Sequence, residues 1–194
     1  RNNRTKPMPI AQPAHAPNAY RIFTTICVAL AVLVMTAAAA LAAPKPDLWA
    51  RWDKHDAAST ARIDHTEWSR LIAAYGRSSE SGVKLFAYGS VTIADRTALE
   101  SYVTKLSATP ISTFKRREQF AYWANFYNAL TVKVILDHYP VASIRDIDIT
   151  PSFFADGPWG AKLATVEGEE ISLDDIEHRI LRPIWKDPRI HYIV

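Results

Sequence analysis

Polar side chains sit at several positions where the surrounding pattern is apolar. In YWANFYNAL, Tyr122–Leu130, two carboxamides stand three residues apart. At about 100° per residue on a helix, Asn125 and Asn128 share a flank with Ala121, Val132, Ile135 and Leu136. An amide buried without partners costs on the order of 1–3 kcal/mol. Each therefore either fastens the backbone of an adjoining loop or offers a donor or acceptor to a substrate or a catalytic imidazole. A second helix poses the same question more sharply. Leu173, Ile176, Ile180 and Leu181 define its apolar arc, and Glu177 lies inside that arc. A carboxylate there needs a partner such as Arg182, Arg189, His191 or an Asn amide, and without one its pKa rises. His178 and Arg182 lie one turn apart on the flank of that helix.

Metal ligation is a rival use for Asp174, Glu177 and His178. Asp174 has a helix-start explanation, however, and no second His stands three or four residues away to complete a zinc face. The loop from Asp56 to Glu67 has calcium-loop spacing. Its third position is Ala58, which has no side-chain oxygen, and its sixth is Ala61, where the sharp turn requires Gly. No metal and no cofactor are expected.

These residues must be carried by definite elements. The pattern predicts a helix from Leu48 through Trp49 and Trp52, a polar loop from His55 to Arg62, and a helix over Thr66–Tyr75. After a Gly-Ser-rich interval, Gly76–Gly82, comes a surface helix over Ala94–Leu106, with Leu99, Tyr102, Val103 and Leu106 on one stripe. The long helix runs from Glu118 to His138. Phe120, Trp123, Tyr127, Leu130 and Val134 form its apolar arc, and Lys133 and Asp137 mark a wet side shared with Tyr122 and Phe126. Ser143–Ile149 reads as a strand, and a loop containing Phe153, Phe154, Gly157, Pro158, Trp159 and Gly160 follows. A hairpin over Lys162–Ile171 turns at Glu167-Gly168. Ser172 opens a capping box for the next helix, which ends near Leu181 before Pro183. DPRIHYIV reads as a strand that stops without a turn, so a truncation at the C-terminus is expected. The fold class expected is α+β: N-terminal helices and a long central helix packed on a small antiparallel sheet.

Of the 194 residues, 48% are hydrophobic and 11% aromatic, enough apolar material for one core. Residues 1–43 hold Arg1, Arg4, Lys6 and Arg21 and no acid, which leaves the remainder at −1 against +3 for the whole chain. A body with acids interleaved throughout does not suit nucleic acid, which requires clustered Lys and Arg. Arg21 precedes an uncharged run, Ile22–Ala43, ending in Ala40-Leu41-Ala42. That is the pattern of a secretory signal; an uncleaved anchor over residues 22–43 is the alternative. Either places residues 44–194, one domain, outside the cytoplasm. The sequence's one cysteine, Cys27, lies inside the leader, so the body has no thiol of its own.

Four segments in order carry a resemblance: YWANFYNALTVKVILDHYPVASIRDI, GPWGAKL, ISLDDIEHRILRP and DPRIHYIV. From about Trp49 onward the chain resembles the domain-of-unknown-function family 547. The resemblance implies a signal-bearing bacterial envelope protein, periplasmic or secreted, or else anchored in the inner membrane. It also implies a continuation past His191 into a cysteine-containing stretch. The positions that carry it are Trp123, Asn125, Tyr127, Asn128, Glu177, His178, Arg182, Arg189 and His191. Two function classes are consistent with them. One is a cysteine-type hydrolase or acyl transferase of papain-like or transglutaminase-like layout. His191 is its base or orienter, Asn125 or Asn128 an orienting or oxyanion amide, Glu177 a charge partner, and the thiol lies beyond the chain given. His178 joins this catalytic set, and Arg182, Arg189, Trp123 and Tyr127 form the binding set. The other is a non-catalytic envelope module whose polar network fixes the fold or a pocket. The ligand expected in either is a small molecule or peptide.

Overall fold

The computed structural model describes residues 47–151 and 156–194. The leader and the Phe153-Phe154 part of the loop thus lie outside the described residues. Residues Lys45–Val194 group as one unit by their contacts. In chain order the elements are α1 (Thr66–Tyr75), strands β1 (Gly76–Ser78) and β2 (Lys84–Phe86), α2 (Ile93–Ser107), and α3 (Arg116–His138). Strands β3 (Ala164–Val166) and β4 (Glu169–Ile171) follow. A π-helix, Asp175–Leu181, then runs directly into α4, Arg182–Trp185.

The expected α+β class holds, but the sheet is two separate antiparallel hairpins rather than one layer. Arg77 pairs with Leu85 across β1–β2, and Thr165 with Glu170 across β3–β4. The second hairpin turns at Glu167 and Gly168, both with positive φ, 46° and 87°. Two left-handed residues in a row match the right-handed twist of the strands they join, and Gly takes such a conformation without steric cost.

Helix α3 is the centre of the core. Tyr122 and Phe126, expected on a wet side, are fully buried, as are Trp123, Ala129 and Leu130. The Tyr122 hydroxyl donates to the Leu106 carbonyl of α2 at 2.9 Å. An apolar arc read from one helix alone misses this, because α2 packs on one side of α3 and the π-helix on another. A helix covered from several sides is apolar nearly all round.

Two segments expected to be strands are 3₁₀ turns, for a shared reason. Ser143 accepts from the Arg145 N–H while the Asp146 carboxylate accepts from the Ser143 N–H, closing a capping box over Ile144–Asp146. Asp187 accepts from the Arg189 N–H and, with Pro188 behind it, starts the turn Pro188–Tyr192. Side chains that bond their own backbone at i+2 or i+3 compete with strand ladders, and here they win. The first helix is likewise a short 3₁₀ turn, Ala50–Asp53.

Pro183 does not end its helix. Having no N–H, it cannot donate to a carbonyl of the preceding turn, and the backbone from Asp175 widens to i→i+5 bonding, as in the Arg182 N–H to Glu177 carbonyl bond. The carbonyls of His178 and Arg179 accept instead from the N–H groups of Asp47 and Trp49, at 3.2 and 3.0 Å. The N-terminal segment thereby satisfies groups that the proline leaves open.

Candidate functional site

The π-winding decides which side chains meet. At i→i+5 spacing Arg182 stands over Glu177, and its Nε and Nη2 both donate to Glu177 Oε1, at 3.0 and 2.5 Å. Glu177 Oε2 is then left toward His178, whose Nε2 is 4.0 Å away and also 4.0 Å from Asp174 Oδ1. The imidazole thus lies between two carboxylates, one of them held by a guanidinium. His178 is buried, its side chain 11% exposed, and that of Glu177 only 16%.

From α3, Tyr127 reaches the same place. Burial pushes its phenol well above the ordinary 10.0, the Glu177 charge adds to this, and the Trp159 indole opposes it. Trp159 is placed there by the GPWG turn. Gly157 has φ +77, and a Cβ on it would collide with the Trp159 ring, so only glycine lets the ring fold back across the turn. The Asp174 N–H donates to the Trp159 carbonyl at 3.0 Å, fastening this turn to the start of the π-helix.

The two neighbouring aspartates have opposite environments. Asp175 closes the capping box that Ser172 opens: its Oδ2 accepts from the Ser172 N–H at 3.0 Å and from the Ser172 hydroxyl at 2.8 Å. Lys162 and Arg179 also donate to it, at 2.5 and 2.9 Å. Burial raises its pKa, but these bonds outweigh burial and hold it below the ordinary 3.8. The Asp175 carboxylate therefore stabilises the fold above the ordinary value, and the contribution is lost as pH falls through the lowered pKa. Asp175→Ala is expected to cost about 2–3 kcal/mol at neutral pH, because charge-assisted bonds are removed. Urea midpoints should show the gap narrowing in acid.

Asp174 behaves in the reverse way. Burial raises its carboxyl above the ordinary 3.8, Glu177 and Asp175 add to the rise, and His178 opposes it. A carboxyl with a raised folded-state pKa favours the fold when protonated, and that contribution is lost as pH rises from 3.8 through the folded value. Asp174→Asn is therefore expected to stabilise the domain at pH 7, by a few tenths of a kcal/mol given the partial exposure of the side chain. The same urea titration run below about pH 4 should show no gain. A charge held at the expense of stability is a mark of a functional position.

The other sequence-predicted residues fall elsewhere. Asn128 is half-buried, and its Nδ2 donates to the Ala124 carbonyl at 2.9 Å and to the Ile193 carbonyl at 2.7 Å. It thus fastens the C-terminal turn to α3. Asn125 is half-buried, with no side-chain hydrogen bond among the described residues. His191 is exposed, its ring edge-on to Tyr192 at 5.6 Å, and Arg189 is exposed and paired with Asp187. Neither reaches Glu177, because the segment turns as a 3₁₀ helix where a strand was expected. Trp123, at 1% exposure, is a core residue with no surface to offer a ligand. Two members of the cluster were missed. Asp174 was assigned to the helix start, although Ser172 capping a residue three positions on points to Asp175. Trp159 was read only as part of a loop, and the flanking glycines were its signal.

The cluster sets an imidazole at His178 beside the carboxylates of Asp174 and Glu177, with a phenol at Tyr127. Among the described residues no group of His, Cys, Asp and Glu is arranged to hold a metal ion. No helix among them is long and apolar enough to cross a membrane. No curated protein and no solved structure matches the chain. A family model described as "Protein of unknown function, DUF547" matches residues 111–194, a narrower span than the one expected from about Trp49. That span includes α3, the GPWG turn and the π-helix, and so every residue of the cluster. Residues 111–194 are a domain of the DUF547 family.

Proposed function

We propose that this domain is an acyl-transferring or hydrolysing enzyme of the cell envelope in which His178 carries the proton. The observation that supports this reading is the position of its Nε2, 4.0 Å from the carboxylates of both Asp174 and Glu177. A largely buried imidazole beside two carboxylates can accept a proton from an attacking nucleophile and return it to a leaving group. Arg182 pairs with Glu177 Oε1, and the Glu177 carboxylate stabilises the imidazolium as it forms. Asp174 orients the ring from the other side. Tyr127 and Trp159 wall the site, and the phenol, held protonated by its raised pKa, is a hydrogen-bond donor for a developing oxyanion.

In the cysteine-type form of this reading the attacking thiolate comes from outside residues 47–194, since none of these is a cysteine. In the hydrolytic form the nucleophile is water. The setting is supported by Arg21 and the uncharged run that follows it; a reporter fused after residue 43 and exported intact tests it.

The experiment is a panel of aryl esters, thioesters and peptide anilides assayed with the full chain. Saturable turnover that is lost in His178→Gln supports the enzyme. Rates equal to the uncatalysed background across the whole panel support the second reading, a non-catalytic binding module. One observation favours that module: Glu177 already has its ion-pair partner in Arg182, so the cluster is electrostatically satisfied without a substrate.

A further inference from the structure

Helix α1, the β1–β2 hairpin and α3 enclose an open cleft of about 650 Å³ that no step of the proposed chemistry uses. Its walls are largely apolar: Trp68 and Ile72 from α1, Leu85 and Phe86 from β2, and Val132 from α3. Two of these are held in water, Ile72 at 43% and Leu85 at 53% exposure. Trp68 and Leu71 of the same helix as Ile72 are buried. The volume lies within the range of pockets that enclose a small organic ligand.

The charged groups of the cleft have one sign. Arg77 and Lys84 line it, and no Asp or Glu does. The Arg77 guanidinium donates to the carbonyls of Ala74 and Gly76, at 2.9 and 2.8 Å, and Lys84 Nζ donates to the Ser78 hydroxyl at 2.7 Å. Among the described residues neither cation is paired with a carboxylate. Asn128 adds a carboxamide to the lining, with its Nδ2 already committed to backbone carbonyls.

We propose that this cleft binds a long-chain carboxylate, with its alkyl chain on the Trp68, Ile72, Leu85 and Val132 walls and its head on Arg77 and Lys84. An alkyl chain removes the exposed apolar surface from water, and a carboxylate supplies the anion that the two cations lack. A neutral alcohol or a cationic amphiphile of the same length offers the chain without the anion. Two cations are too few for a phosphate polymer, whose affinity is built from many such contacts. This inference rests on the cleft alone and stands independently of the role assigned to His178.

Calorimetric titration of the full chain with dodecanoate below its micelle threshold tests it. Dodecanol and dodecyltrimethylammonium serve as comparators. Saturable one-site binding is expected for dodecanoate, with the double reversal Arg77→Glu, Lys84→Glu weakening it by about tenfold or more. Leu85→Glu, at an exposed position, should abolish it, and the milder Lys84→Gln should weaken it while leaving the melting midpoint unchanged. Added salt should weaken the carboxylate and leave the alcohol unaffected. Dodecanol binding as tightly as dodecanoate, with the reversal silent in a folded protein, overturns the proposal. So does the absence of a saturable heat, or association confined to vesicles of phosphatidylglycerol with no response to free dodecanoate, which would make the cleft a membrane-contact surface.

Discussion

Trp123→Ala is expected to cost the domain about 3–5 kcal/mol, the range for removing a large buried aromatic side chain. The side chain is 1% exposed at the middle of α3. Its ring meets Trp52 edge-on at 5.1 Å and Tyr122 edge-on at 4.8 Å. The cavity left behind would open between the N-terminal 3₁₀ turn and the central helix, two elements that cannot close it without moving backbone. Against a total stability of about 5–15 kcal/mol, that loss is a large fraction of the whole. Urea denaturation followed by circular dichroism should show the midpoint falling with little change in slope. A loss under about 1 kcal/mol would mean that α3 does not organise the core, since surface positions give changes of that size.

His178→Gln is expected to lower turnover by about 10²–10⁴-fold, the usual contribution of a positioned acid–base group. Glutamine keeps a polar side chain of similar reach, so the fold should survive. Removing the imidazole takes away the group that accepts and returns the proton beside Asp174 and Glu177, while Arg182 still pairs with Glu177. The loss should therefore fall on kcat with KM little altered, the sign of an interaction made in the transition state. A structural role for His178 would give the opposite pattern, a lowered melting midpoint with turnover per folded molecule intact.

The long helices were legible because their periodicity and caps are local. α1 and α3 lie where the apolar spacing puts them, and the second hairpin turns at Glu167-Gly168 as its residues require. What failed was decided by competition or by non-local packing. Ser143 with Asp146 and Asp187 with Pro188 are helix-start signatures, yet alternating apolar residues around them read as strands. Tyr122 and Phe126 read as wet because α2 and the π-helix, which bury them, are invisible to a wheel drawn for α3 alone. The polar site was legible in its residue types and not in its geometry. Arg182 was among the partners expected for Glu177 and is the one it has, but a 3.6-residue wheel does not show that the wider winding sets the two five residues apart in register. The segment opened by Asp187 is a 3₁₀ turn, and His191 in it is exposed. The cleft gave no signal at all, because Gly76–Gly82 looks like a linker until β2 folds back on it.

The most direct test of a proton-carrying imidazole between Asp174 and Glu177 is chemical rescue. His178→Gly, confirmed folded by circular dichroism, is assayed on the best acyl donor with increasing free imidazole. A proton carrier at this position predicts saturable recovery of turnover, because the deletion leaves a cavity flanked by the same two carboxylates. No recovery from a folded variant, or a glycine variant as active as the parent without imidazole, would contradict it.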